Sequence, residues 1–192
     1  MSKIEVNQID TISGSSTLLV GPSAATKLTF SSTLIVDFNV NSPGVTLGAD
    51  MKMTPAFHAY LAAGTGDQSI STATLTTISF DTERYDSDGK YDTSTYRFTP
   101  GIAGKYFVYA MTRMTDGNSY LVEMEIRTSA ENSIARNATP NTNTNSIFIS
   151  TTAELGVSDY VYVTIYQGSG STRALNSGDT ETYFGGYKII GA

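Results

Sequence analysis

Tyr91-Asp92-Thr93-Ser94-Thr95-Tyr96-Arg97-Phe98-Thr99-Pro100-Gly101-Ile102-Ala103-Gly104-Lys105-Tyr106-Phe107-Val108-Tyr109 is the stretch on which the fold of this 192-residue chain turns. Its first half alternates aromatic with polar residues, and its second half carries aromatic or β-branched groups on successive positions. Pro100-Gly101 and Gly104 punctuate the middle, so the stretch reads as strand, tight connection, strand: a hairpin-like signature. The run Phe107-Val108-Tyr109-Ala110-Met111 has no solvent-facing side. In an otherwise polar β chain this raises the question of what covers the second face, and a partner subunit is the expected answer.

Working outward, hydrophobic residues make up 40% of the chain and charged residues only 16%, with Tyr, Thr, Ser, Gly and Asn abundant. That composition suits many short strands joined by polar turns, and the length suits one ordinary domain with an appendage. The expected class is all-β. The net charge of −6, with no clustered Lys/Arg run, lacks the electrostatic footprint that a phosphate backbone requires, so no nucleic-acid partner is expected. The absence of cysteine removes disulfide and thiolate chemistry and leaves packing or oligomerisation to stabilise the fold. No apolar run reaches the length of a membrane span, and Met1 to Gln8 lacks the apolar centre of a secretion signal. Neither membrane insertion nor a cleaved leader is expected.

Residues 1–52 read differently from residues 53–192. Leu18-Leu19-Val20, Leu28-Thr29-Phe30, Leu34-Ile35-Val36 and Val45-Thr46-Leu47 are short apolar pieces spaced by Gly, Ser, Pro and Asn, and Thr11 to Ala49 holds just two charges, Lys27 and Asp37. Very short strands that cannot bury their faces alone fit a stem wound from several copies of the chain; a disordered linker is the alternative. The boundary falls near Met51 to Pro55. Beyond it, Phe57, Ala59 and Leu61 alternate with His58 and Tyr60, and a further strand is expected over Thr74 to Asp81. Tyr120, Val122, Met124 and Ile126 oppose Leu121, Glu123, Glu125 and Arg127, which predicts core beneath and water above. Asn137 to Asn145 reads as a polar loop, with a strand from Ser146. Val161, Val163 and Ile165 oppose Tyr160, Tyr162 and Tyr166, an aliphatic core face against a tyrosine face suited to a subunit interface. Tyr183 to Ile190 is the last strand.

Ala56-Phe57-His58-Ala59, Ile78-Ser79-Phe80-Asp81, Tyr91-Asp92, Phe98-Thr99-Pro100 with Gly104-Lys105-Tyr106-Phe107, Leu155 with Asp159-Tyr160-Val161, and Phe184-Gly185-Gly186-Tyr187 with Ile189 follow one another in this order. From Pro55 to Gly191 the chain thereby resembles the C1q/TNF-like jelly roll. Leu155-Gly156-Val157-Ser158-Asp159 departs from it, because the family usually has Gly immediately before the Asp. The resemblance implies a ten-stranded, two-sheet sandwich that assembles as a homotrimer through its inner sheet, with His58, Tyr60, Phe107, Tyr109, Met111, Tyr160, Tyr162 and Tyr166 at the interface.

The opening Met1 to Asp10, followed by Gly14-Ser15-Ser16-Thr17-Leu18-Leu19-Val20-Gly21, is similar to openings of fibre and tail-appendage proteins of tailed phages. This implies an attachment peptide that docks on the virion head or tail, a trimeric stem and a C-terminal knob that contacts a host-surface glycan or protein. Such a protein is made in the host cytoplasm and leaves in the virion by lysis. A structural decoration of the capsid or tail without a receptor, and a secreted cellular C1q-like module, are the alternatives.

Catalysis has little to stand on: His58 is the sole histidine, and no nucleophile motif such as Gly-Xaa-Ser-Xaa-Gly accompanies it. No enzymatic activity and no cofactor are expected. Asp86, Asp88 and Asp92 crowd a Gly-containing turn, where hard oxygen ligands could hold Ca²⁺, but Arg97 stands where an EF-hand loop places its closing Glu. An ordinary acidic turn is the competing reading. For receptor recognition the candidates are Asn137, Asn141, Asn143 and Asn145 in one polar loop, with Ser171 and Arg173 in the 168–179 loop. Asn137-Ala138-Thr139 is formally a glycosylation sequon and reads as coincidence without a leader.

Overall fold

The computed structural model describes residues 52–115, 120–140 and 146–189. The expected stem, up to residue 51, and the candidate residues Asn141, Asn143 and Asn145 lie outside these. Among the described residues there are thirteen strands and no helix. They are β1 (Ala56–Tyr60), β2 (Gln68–Ile70), β3 (Thr76–Thr77), β4 (Thr82–Asp86), β5 (Tyr91–Asp92), β6 (Arg97–Phe98) and β7 (Gly104–Arg113). After these come β8 (Leu121–Thr128), β9 (Ser133–Pro140), β10 (Ser146–Leu155), β11 (Val161–Gln167), β12 (Arg173–Leu175) and β13 (Tyr183–Lys188). The count exceeds the ten that the resemblance implies, and five of the strands, β2, β3, β5, β6 and β12, are fragments of two or three residues.

The opening stretch folds differently from a single hairpin. Tyr91↔Phe98 and Asp92↔Arg97 pair within its first half, so β5 and β6 are themselves a small hairpin. Asp92 builds the turn by accepting from the Ser94 and Thr95 amides and hydroxyls. Thr99 to Ala103 then carries the chain across to the other sheet, turning at Gly101 with φ 71°, in the left-handed region that favours glycine. Pro-Gly signals a change of direction, and it does not say which sheet the next strand joins. The first sheet runs β10-β7-β13-β1-β4, and the second β5-β6-β11-β8-β9, with β3 on the β6 edge of β11. The two form a jelly-roll sandwich, and β12 with β2 makes a small ribbon at one end.

Period-2 alternation builds the core between the sheets. On β7, Tyr106, Val108, Ala110 and Thr112 are buried, while Phe107, Tyr109, Met111 and Arg113 are partly exposed on the other side. Phe57 of the first sheet stacks on Phe98 of the second at 4.3 Å between ring centroids, and Phe184 meets Phe57 edge-on at 4.9 Å. Tyr91 stacks on Phe57 at 5.1 Å and donates its hydroxyl to the Phe80 carbonyl at 3.0 Å. Burial drives that phenol's pKa up. Each buried ring stabilises the fold by roughly 2–3 kcal/mol in area terms.

Three local expectations change. Of the strand expected over Thr74 to Asp81 only Thr76–Thr77 is strand, although Ile78 and Phe80 reach the core; the charged Thr82–Asp86 segment is the edge strand instead. Asn137 lies in β9, not in a loop, because backbone pairing to Met124 holds it there whatever its side chain. The Gly156–Asp159 turn closes without a Gly beside the Asp: the Gly156 amide donates to Asp159 Oδ2 at 2.8 Å, and Ser129 Oγ donates to Oδ1 at 2.9 Å. These bonds hold the Asp159 carboxyl below its usual pKa.

Candidate functional site

The outward face of the first sheet is aromatic. Strand register sets its rows: Tyr85, His58, Gly185, Tyr109 and Ser150 in one, and Thr82, Tyr60, Tyr183, Met111 and Phe148 in the next. Ala56, Tyr187, Phe107 and Thr152 form a third. None of these residues is charged; Lys105, Glu154, Arg113 and Glu181 lie around the rim. Ring contacts join His58 to Tyr183 (5.3 Å), Phe107 to Tyr187 (5.5 Å) and Tyr109 to Tyr183 (6.2 Å). Phe148 stays 50% exposed at one edge and Tyr85 49% at the other.

Gly185 makes the first of these rows possible. A Cβ there would collide with the Tyr109 hydroxyl oxygen, so the missing side chain lets Tyr109 lean across β13. It reaches His58 on β1, with 3.1 Å between the hydroxyl oxygen and Nδ1. Burial, followed by the Tyr85 hydroxyl, pushes the Tyr109 phenol up to about 12. The other imidazole nitrogen, Nε2, is buried with no hydrogen-bond partner. Beside it the register of β1 on β4 slips between His58 and Ala59, leaving Arg84 as the extra residue of a bulge, where it pairs with Asp179. Burial, then Arg84, lowers the His58 pKa, with Asp179 opposing.

Of the expected interface residues, His58, Tyr60, Phe107, Tyr109 and Met111 therefore share this one face. Tyr162 and Tyr166 do not: β11 belongs to the second sheet, and they point outward on the opposite side of the sandwich, next to Tyr160. No single flat contact covers both sets. The second face is finished with charge. Arg97 lies over the Tyr160 ring at 4.3 Å and near Tyr162 at 5.8 Å. Glu125, 8% exposed, accepts from Arg127 at 2.6 Å, and Arg136 pairs with Glu123. Guanidinium groups thus cover Glu123 and Glu125 on the outer side of this strand, while Leu121 stays exposed to water there as expected. The Glu125 bond raises the Arg127 pKa further.

One end of the sandwich gathers the C-terminal ends of β1, β7, β9, β11 and β12, opposite the end where the chain enters at Pro55 beside Lys188. Gln167, fully buried and not singled out in the sequence, organises it: Nε2 donates to Ile70 O (3.0 Å) and Ser171 O (2.8 Å), and Oε1 accepts from the Ser169 amide (2.8 Å). Ser171 and Arg173 are at this end, with Arg173 Nε on Ser169 Oγ at 3.1 Å and its guanidinium over Tyr120 at 5.3 Å. Asn137 is not with them. Its Nδ2 donates to the Phe148 carbonyl at 2.9 Å, tying the edges of the two sheets together. At the entry end, Asp86 accepts from the Tyr91 amide at 2.7 Å and the Asp88 amide at 3.3 Å. Asp92 is held at about 2 by its Ser94 and Thr95 hydrogen bonds. The candidate calcium carboxylates thus serve their own turns, and no group of three metal-ligating side chains gathers among the described residues.

Solved structures share this architecture. The globular domain of zebrafish complement 1qA protein matches with a TM-score of 0.51 at 16% identity, over 70% of this chain and 97% of that one. Eiger TNF from S. frugiperda gives 0.52 at 15%, over 71% and 93%, and murine APRIL at pH 5.0 gives 0.56 at 13%, over 70% and 98%. At such identities the likeness is one of fold. No curated protein sequence matches the chain. Residues 56–189 match the C1q domain family, and the chain belongs to it.

Proposed function

We propose that this chain is a non-enzymatic binding protein that works as a homotrimer through the outward face of its first sheet, forming the knob of a tailed-phage fibre that attaches to a host-surface glycan or protein. The observation that carries the threefold packing is the uncharged aromatic face with its charged rim. Apolar and aromatic centres depleted of charge are the composition of protein interfaces. Three copies also raise avidity, because weak sites on one rigid tip engage a repetitive surface together. The loop end around Ser171 and Arg173 lies opposite the chain entry, which supports it as the surface that meets a receptor. The fibre role rests on the resemblance of residues 1–21. Sedimentation of the full chain tests the assembly, with a monomer ruling the packing out. Antibody labelling of intact particles viewed by electron microscopy tests the fibre, and unlabelled particles rule it out.

A second reading, a secreted cellular binding module, is favoured by the animal sources of the solved structures named above. It predicts an export signal or a collagen-like Gly-Xaa-Yaa stem in the complete gene.

A further inference from the structure

The His58 imidazole sits where a neutral ring is tolerated and a charged one is not. Its Nδ1 meets the Tyr109 hydroxyl at 3.1 Å, and its Nε2 is buried without a partner. In the neutral ring one nitrogen donates and the other accepts, so the Tyr109 hydroxyl can serve Nδ1 in either tautomer. The imidazolium has two donors, and then Nε2–H faces no acceptor. The surroundings supply none from any side. β4 presents Tyr85 and, from its bulge, Arg84; Glu83 is registered with core-facing Ala59 instead. β13 contributes Tyr183 and, one row away, Tyr187, and β7 contributes Tyr109. Asp179, the carboxylate whose charge acts on His58, is already engaged by Arg84.

We propose that His58 is an acid-sensitive latch of the aromatic face: neutral, it ties β1 to β7 across Gly185; protonated, it forces an unpaired cation into the face and loosens the packing of β1, β4 and β7 there. The rings of Tyr85 and Tyr183, at 6.1 and 5.3 Å, attract a cation weakly. Burial and the Arg84 charge outweigh that attraction, in line with the lowered pKa of this group. The sign follows. The folded protein binds the proton less readily than the unfolded chain, so the stability contribution is whole above pH 6.5 and is lost as pH falls below it toward the folded value. The consequence for assembly rests on the threefold packing proposed above; the consequence for the protomer does not.

The test uses the full chain, in which His58 is the sole histidine and gives one imidazole signal. NMR titration should place its midpoint below 6.5; a midpoint at or above 6.5 overturns the latch. Between pH 7.5 and 5 the thermal midpoint of the unaltered chain should fall by roughly 2–4 °C, the size of a single-site contribution in a domain of this length. His58→Phe should flatten that slope. A variant that loses as much as the unaltered chain overturns the proposal; if the variant fails to fold, the titration alone decides. Sedimentation over the same range separates the two readings. A trimer that dissociates in acid supports both, whereas a monomer at every pH whose His58-dependent slope persists supports the latch and rejects the threefold packing.

Discussion

The two outward faces of the sandwich start from the same kind of residue and end differently. On the first sheet, Tyr109, Tyr183, Tyr187 and Phe107 lean on one another and on His58, and the Arg84–Asp179 pair stays at the β4 edge. On the second, Tyr160 and Tyr162 are capped by Arg97, and the neighbouring strands carry Glu123, Glu125, Arg127 and Arg136 in ion pairs. A tyrosine under a guanidinium has its polar surroundings supplied within the protomer. A tyrosine among tyrosines leaves apolar ring surface to be covered from outside. The difference teaches that tyrosine content alone does not set what a face still needs; what stands beside the ring does.

The largest expected effect erases the comparison altogether. Phe184, fully buried between Phe57, Phe80 and Tyr91, lies beneath the aromatic face and packs toward the other sheet. Phe184→Ala should cost about 3–5 kcal/mol in chemical denaturation. The next separates the faces: Tyr109→Lys should abolish the proposed trimer in sedimentation, while Tyr162→Lys, on the charged face, should leave it intact. Equal behaviour of the two would end the distinction.

Within the charged face, Glu125 is the buried member and Arg136, at 59% side-chain exposure, the hydrated one. Glu125→Ala should cost about 1.5–3 kcal/mol, and Arg136→Ala about 0.5 kcal/mol or less. Similar losses would mean that solvent screens both alike. The smallest change sharpens the aromatic face. Gly185→Ala should displace the Tyr109 ring and cost about 1 kcal/mol, the net worth of one hydrogen bond. In the Tyr109→Phe background, where that bond is already gone, the same substitution should cost measurably less.

Strands whose two sides differ in chemistry are legible in the amino-acid sequence. Phe57 and Ala59 on β1, Val122, Met124 and Ile126 on β8, and Val161, Val163 and Ile165 on β11 all point inward as their alternation predicts. Sheet membership is not legible in the same way. A period of two says which residues share a face, and long-range pairing says which sheet that face belongs to, so Tyr109 and Tyr162 read as parts of one surface. β4 escapes a reading by pattern because Glu83-Arg84-Tyr85-Asp86 on a solvated, bulged edge has no alternation to follow. Asn137 reads as loop because its side chain is polar, yet the ladder that holds it is made of backbone. The His58–Tyr109 bond depends on a side chain that is missing at position 185, and nothing in local sequence shows what a glycine makes room for.

The pairing of β1 with β13, Ala56 against Tyr187 through Tyr60 against Tyr183, joins the first strand of the domain to the last. β13 also separates β1 from β7, so the sheet has no middle until that final segment arrives. On a ribosome this sets an order of events. The early strands wait with unpaired edges while more than a hundred residues follow, which makes folding slow and dominated by distant contacts. The aromatic face is therefore the last surface to come into being. A polypeptide cut short before Tyr183 lacks the strand that carries Tyr183, Gly185 and Tyr187, so an incomplete copy has no aromatic face to present.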